Sequence, residues 1–129
     1  MPHTIKTAGV IRLKNRRDFL RVAGRGRGRK WVAPGLILQA RRHGTGDKTE
    51  TGGSGFRIGY TVSRKVGGAV QRNRARRRLR AVADQVMPVH AQDGHDFVLI
   101  GRQATLKRTF KALAEDLETA LRKLDAYND

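Results

Sequence analysis

The chain has 129 residues, with 28 lysines and arginines against 11 aspartates and glutamates, a formal net charge of +17. That length suits one domain with one modest core, and the charge is an electrostatic footprint for phosphate backbones. No cysteine is present, which excludes disulfides, cysteine–zinc sites and thiol catalysis. No apolar run is long enough to cross a bilayer, and the opening MPHTIKTAGVIRLKNRR lacks the apolar stretch of a secretory signal, so a cytoplasmic location is expected.

In chain order, residues 1–10 read as a flexible tail within a single domain spanning 1–129. Asn15-Arg16-Arg17-Asp18 predicts a helix start, with Asn15 as the cap and Asp18 favouring the positive helix end. This short helix turns Phe19 and Val22 inward and stops near Gly24. Gly24–Lys30, GRGRGRK, has no capacity to form a core; it is either a flexible RNA contact or only a source of local charge. Leu36-Ile37-Leu38 reads as a buried strand. Residues 43–55, rich in Gly, Thr and charge, read as a flexible loop.

Residues 56–62 alternate, placing Phe56, Ile58, Tyr60 and Val62 on one face and Arg57, Gly59 and Thr61 on the other. A Val66-Gly67-Gly68 turn then leads into a helix that runs to about Met87, where Pro88 stops it. Asp96–Ile100, DFVLI, is a second continuous apolar strand. His90, Asp93, His95 and Asp96 cluster just before it, in a turn and without a metal-ligand spacing.

A final helix carries Leu106, Phe110, Leu113, Leu117, Leu121 and Leu124 at three- and four-residue spacing, a stripe for core packing. Either Thr105 or Thr109 caps it. Glu115, Asp116 and Glu118 suggest an outer face turned away from RNA. The element order α-β-β-α-β-α predicts an α+β fold, a small two-layer sandwich of helices on one mixed sheet.

The densest information lies in 61–80, TVSRKVGGAVQRNRARRRLR. No acidic residue occurs from Thr51 through Ala83, so this surface repels itself unless a polyanion neutralises it. At roughly 100° per residue, Ala75, Leu79, Val82 and Val86 form one narrow apolar stripe. The arginines at 72, 74, 76, 77, 78 and 80 cover the remaining arc, with Asn73 near its middle.

A planar guanidinium holds a phosphate bidentately and stacks on bases. An asparagine amide donates and accepts at once, which suits a ribose hydroxyl or a base edge. A merely solvated face would carry acidic i,i+4 partners, and this one lacks them. Ser63-Arg64-Lys65 followed by two glycines suggests a backbone nest for an anion. Its spacing differs from the phosphate-binding loop of nucleotide hydrolases, which excludes nucleoside triphosphate binding.

These residues closely resemble the signature of the bacterial ribonuclease P protein component, S-K-K-x-G-N-A-V-x-R-N-R-x-K-R-x-x-R. Ser63, Lys65, Gly67, Ala69, Val70, Arg72, Asn73, Arg74, Arg77 and Arg80 match; Arg64 and Arg76 replace lysines, and Gly68 replaces an asparagine. Leu13–Phe19 resembles the family's opening L-K-x-x-x-D-F, and the later strand and leucine-patterned helix follow in the expected order.

The resemblance implies a ribosomal-protein-like fold with a left-handed crossover, and a protein that joins a large catalytic RNA to remove the 5′ leader of precursor tRNA. It implies that magnesium bound mainly by the RNA performs the hydrolysis, so the protein contributes no catalytic residue. RNA-binding residues would be Arg64, Lys65, Arg72, Asn73, Arg74, Arg76, Arg77 and Arg80. Phe19 would line a cleft for the single-stranded leader.

A second aromatic expected four residues after Phe19 is Ala23 here, leaving Trp31 or Phe56 to compensate or to serve the core. The implied partners are the catalytic RNA and precursor tRNA, with no membrane and no obligate protein partner. The alternative reading is a non-enzymatic ribosomal or RNA-chaperone binding protein. An architectural DNA-binding protein fits less well, since no helix-turn-helix or zinc pattern occurs.

Overall fold

A computed structural model describes residues 10–13, 16–23, 29–42 and 55–128. Its strands are β1 (Val10–Arg12), β2 (Arg29–Val32), β3 (Leu36–Arg42), β4 (Phe56–Thr61) and β5 (His95–Gly101), and its helices α1 (Arg16–Ala23), α2 (Ala69–His90) and α3 (Phe110–Lys123). The strands form one mixed sheet in the order β1-β4-β5-β3-β2. β1, β4 and β5 run parallel, while β3 is antiparallel to both β5 and β2. The fold is the expected α+β arrangement, with two short edge strands added.

Strand register explains where the helices lie. Ile58, Phe97 and Ala40 form one row across the sheet, and Tyr60, Leu99 and Leu38 the next. These rows pack against Ala75, Leu79, Val82 and Val86 of α2 and Leu113, Leu117 and Leu121 of α3, all buried. Phe56 and Phe97 meet edge-to-face within this core, their centroids 5.9 Å apart.

The opposite face carries Gly59, Val98 and Gln39 in register. There Leu13, Val22 and Val98 make a separate small core, with Phe19 and Ile100 packed against it. So α2 and α3 form the second layer of the sandwich, and α1 lies on the sheet's other face. FVLI, residues 97–100, is apolar throughout because β5 is central and covered on both sides.

Several local expectations change. Val10 belongs to an edge strand and not to a tail, and Arg29 and Lys30 open β2 with both side chains exposed. The rest of the tail (1–9), the cap at Asn15, residues 24–28 and most of the 43–55 loop lie outside the described residues. Gly55, at the end of that loop, is buried, and its carbonyl accepts the Gly94 N–H at 2.7 Å.

α2 runs past Met87 to His90 with Pro88 inside and buried. A proline in the last turn forfeits one backbone bond, and burial of its ring beside Val86 and Met87 offsets that loss. Of the two candidate threonines only Thr109 caps α3, while Thr105 lies within the 3-10 turn Gln103–Leu106 that precedes it. Thr109 accepts the Ala112 N–H at 3.1 Å and starts α3. From the third position of the 3-10 turn Thr105 accepts the Arg102 N–H at 2.9 Å and donates to the Gly35 carbonyl at 2.6 Å.

Two acidic residues also turn inward. Asp96 receives Arg57 bidentately, Nε at 2.8 Å and Nη2 at 2.6 Å, across neighbouring strands. Asp116 is 7% exposed: it accepts the Gly35 N–H at 3.0 Å and pairs with Arg108 at 2.7 Å. Of the acids expected on the outer face of α3, Asp116 therefore belongs to the fold, while Glu115 stays exposed.

Candidate nucleic-acid interface

The arginine helix starts from a short 3-10 turn, Arg64–Val66, capped by Ser63, whose Oγ accepts the Lys65 N–H at 3.3 Å. Buried Val66 pins this turn to the core, leaving Arg64 and Lys65 exposed. The expected anion nest is largely satisfied from within: Gln71 Oε1 accepts the Gly68 N–H at 3.1 Å, and the Gly67 N–H reaches the Arg64 carbonyl at 3.2 Å. What this turn offers a polyanion is its two side-chain cations.

Along α2 the arginines sort into three kinds. Arg74 and Arg77 are exposed together with Asn73, on the side away from the buried stripe. Asn73 Oδ1 accepts from Arg76 Nη1 at 3.0 Å, which keeps the two N–H donors of its amide for a partner. Arg72, Arg76 and Arg80 are half-buried along one flank, four residues apart. The Arg72 and Arg80 Nε atoms are buried without a hydrogen-bond partner, so Arg72 lies lower on the helix than an outward position would place it.

Arg80 sits over the Tyr60 ring, 5.6 Å from its centroid. Burial first, then the Asp84 carboxylate, push the Tyr60 hydroxyl up to about 12, against the pull of Arg80 and Arg12. It therefore stays a neutral donor on this flank at physiological pH.

Arg78 is the third kind. Its Nε donates to the Thr105 carbonyl at 2.8 Å and its Nη2 to the Arg108 carbonyl. It clamps the chain entering α3 and is spent on the fold.

On the other sheet face, Phe19 is half-buried beside Ile100 and the small core under α1. Ile100 also lines a separate cleft of about 470 Å³, with Ile37 and with Ser63, Lys65, Arg102 and Gln103 at its border. Lys65 thus stands between the arginine helix and the α1 side of the sheet. Leu20 and Val32 are 56% and 49% exposed, unusual for aliphatic side chains.

Sequence reading missed Ile37, Ile100 and Arg102 as lining residues. For the two isoleucines the signal was parity, since in LIL and DFVLI every second apolar residue must face away from the main core; Arg102, beyond the end of β5, had none. The same parity removes Trp31 and Phe56 as substitutes for the missing aromatic. Trp31 pairs with Leu38, and Phe56 lies two residues from Ile58, so both belong to the α2–α3 face.

The His90–Asp96 cluster is likewise dispersed. Asp96 is occupied by Arg57, and His95 is buried with Nδ1 3.1 Å from the Asp93 carbonyl. Among the described residues no group of three or more histidines and acids converges on a metal site.

A family model described as Ribonuclease P matches residues 9–125. The chain is 52% identical over 119 residues to the ribonuclease P protein component of Paramagnetospirillum magneticum, covering 92% of this chain and 86% of that one. It is 50% identical over 112 residues to that of Gluconacetobacter diazotrophicus, covering 87% and 89%. Among solved structures it is similar to the RNase P protein of Staphylococcus aureus, with TM-score 0.69, 26% identity and coverage of 91% and 97%. The Thermotoga maritima RNase P protein gives TM-score 0.65 at 27% identity, covering 88% and 94%. With the arginine helix, the sheet and both helical layers all inside the matched span, the chain belongs to the ribonuclease P protein component family.

Proposed function

We propose that this chain is the protein subunit of a ribonuclease P holoenzyme, binding the catalytic RNA through α2 and the 5′ leader of precursor tRNA through the Phe19 side of the sheet. The observation that carries this reading is the exposure of Asn73, Arg74 and Arg77 on the side of α2 away from a fully buried stripe, in a chain of this family. Arg64 and Lys65 extend the cationic surface to the cleft, and Arg72, Arg76 and Arg80 supply its flank. Two polyanions repel one another, and a small cation between them screens that repulsion while lengthening the contact.

Bond cleavage falls to the RNA and to magnesium held by it. Among the described residues no group of three or more histidines and acids is gathered to hold that ion, and Asp96 and Asp116 already face guanidinium partners. Its contribution is to bind and orient. A cleft with apolar Ile37 and Ile100, a cationic border and an aromatic beyond the shared Ile100 suits a single strand without strict sequence preference. With no helix long and apolar enough to span a membrane among the described residues, the holoenzyme would work in the cytoplasm.

Reconstitution tests this. The chain alone should cleave nothing, and added to a matching ribonuclease P RNA at low magnesium it should stimulate leader removal. RNA binding without any stimulation would instead favour a ribosomal or RNA-chaperone role.

A further inference from the structure

We propose that Gly59 is a positioning residue for leader binding: it is the socket that sets the orientation of the Phe19 ring. The inference rests on the leader-cleft reading above. A Cβ placed on Gly59 would lie 2.5 Å from Phe19 Cζ, 2.6 Å from Cε1 and 3.1 Å from Leu13 Cβ. The tip of the ring occupies the space a side chain would take, directly against the backbone of β4.

Nothing else about position 59 calls for glycine. Among the described glycines those with positive φ are Gly55, Gly67 and Gly94, and Gly59 is not one of them. It sits in the middle of a strand, opposite Val98, where glycine normally weakens a sheet. What remains is close approach, chiefly of the ring tip at 2.5–2.6 Å and secondarily of Leu13 Cβ at 3.1 Å, which would have to give by a few tenths of an ångström.

The geometry also says what a methyl group would do. The atoms it meets first are at the free end of a side chain with two rotatable bonds, so the ring can swing away while the backbone stays. α1 keeps its own anchor, because Val22 is fully buried against Val98 and Leu13 independently of Phe19. Gly59→Ala should therefore leave the fold and turn the half-buried ring out of its seat. A ring already held in its seat stacks on a base without the cost of ordering it on binding. The main chain at Gly59 thus acts on the leader through Phe19.

The test uses holoenzyme reconstituted with ribonuclease P RNA, and two substrates: a precursor tRNA with a long leader and the same tRNA without one. Affinities are measured for the parent, Gly59→Ala, Phe19→Ala and the double variant, with melting curves for each protein. Gly59→Ala should weaken long-leader binding by roughly fivefold or more, the scale of one lost base–aromatic stack, and leave leaderless binding at the parent's value.

The double variant should bind no more weakly than Phe19→Ala, and Gly59→Ala should melt close to the parent. The socket is overturned if Gly59→Ala binds the long leader as the parent does, weakens both substrates alike, adds fully to Phe19→Ala, or fails to fold. If Phe19→Ala itself does not distinguish the two substrates, the leader cleft falls at that residue and the socket with it. A silent Gly59→Ala beside a discriminating Phe19→Ala overturns the socket alone.

Discussion

Arg78 and Arg77 are neighbours in one arginine run, yet their replacement by alanine should have opposite consequences. Arg78 is half-buried and donates to the carbonyls of Thr105 and Arg108, the first of which belongs to a buried residue. A hydrogen bond from a charged donor contributes about 1.5–3 kcal/mol, and an orphaned buried carbonyl costs about 1–3 kcal/mol. The two bonds share one guanidinium, and Arg108 lies near solvent, so the loss should total about 2–4 kcal/mol. For a chain of this length that lowers the melting temperature by roughly 6–20 °C.

Arg77 is exposed and has no role in packing, so its replacement should change stability by less than about 0.5 kcal/mol. It should instead reduce the slope of log affinity for the catalytic RNA against log salt by about 1, the signature of one lost phosphate contact. Urea unfolding followed by circular dichroism reads the first effect, and RNA titrations at several salt concentrations read the second. If Arg78→Ala is as stable as the parent and loses RNA binding as Arg77→Ala does, the division of the arginines is wrong.

Three further outcomes follow from the fold. Arg57→Met removes the bidentate guanidinium from the buried Asp96 carboxylate and should cost about 3–5 kcal/mol in urea unfolding. Tyr60 is raised from its ordinary value near 10 to about 12, so the folded state holds its proton more tightly than the unfolded chain. Its stabilising effect is complete below pH 10 and is lost as pH rises towards 12; an ultraviolet phenolate titration should show this step delayed, and Tyr60→Phe should remove it. Asp125 has φ 56°, closing α3 through bonds from Asp125 N–H to the Arg122 carbonyl and from Ala126 N–H to the Leu121 carbonyl. Glycine suits that left-handed position better, and Asp125→Gly should stabilise the chain by about 0.5–1 kcal/mol in the same unfolding assay.

What the sequence made legible was the part whose pattern is local. α2 and β5 announce themselves by helical spacing and an unbroken apolar run, and the signature around Asn73 fixed the family. β1 and β2 were not legible: three and four residues, mostly basic or isolated, carry no periodicity, and they become strands only because β4 and β3 offer edges to pair with. Arg57 and Asp116 looked like surface charges because their partners lie far along the chain or across a turn. By charge pattern alone Arg78 matched Arg77; the family signature includes position 77 and leaves 78 open, and the position of α3 gives the physical reason, since Arg78 is held by the carbonyls of Thr105 and Arg108.

The most direct test of the docking face exploits the absence of cysteine, since any introduced thiol is a unique attachment point. Ala81 is exposed on the outward side of α2, and Thr119 is exposed on α3. Ala81→Cys and Thr119→Cys, each carrying a tethered iron chelate, would generate hydroxyl radicals in holoenzyme assembled with ribonuclease P RNA. Strand breaks in the RNA should arise from position 81 and be absent or weak from position 119. Breaks from 119 alone, or equal breaks from both, would contradict an arginine helix that faces the catalytic RNA.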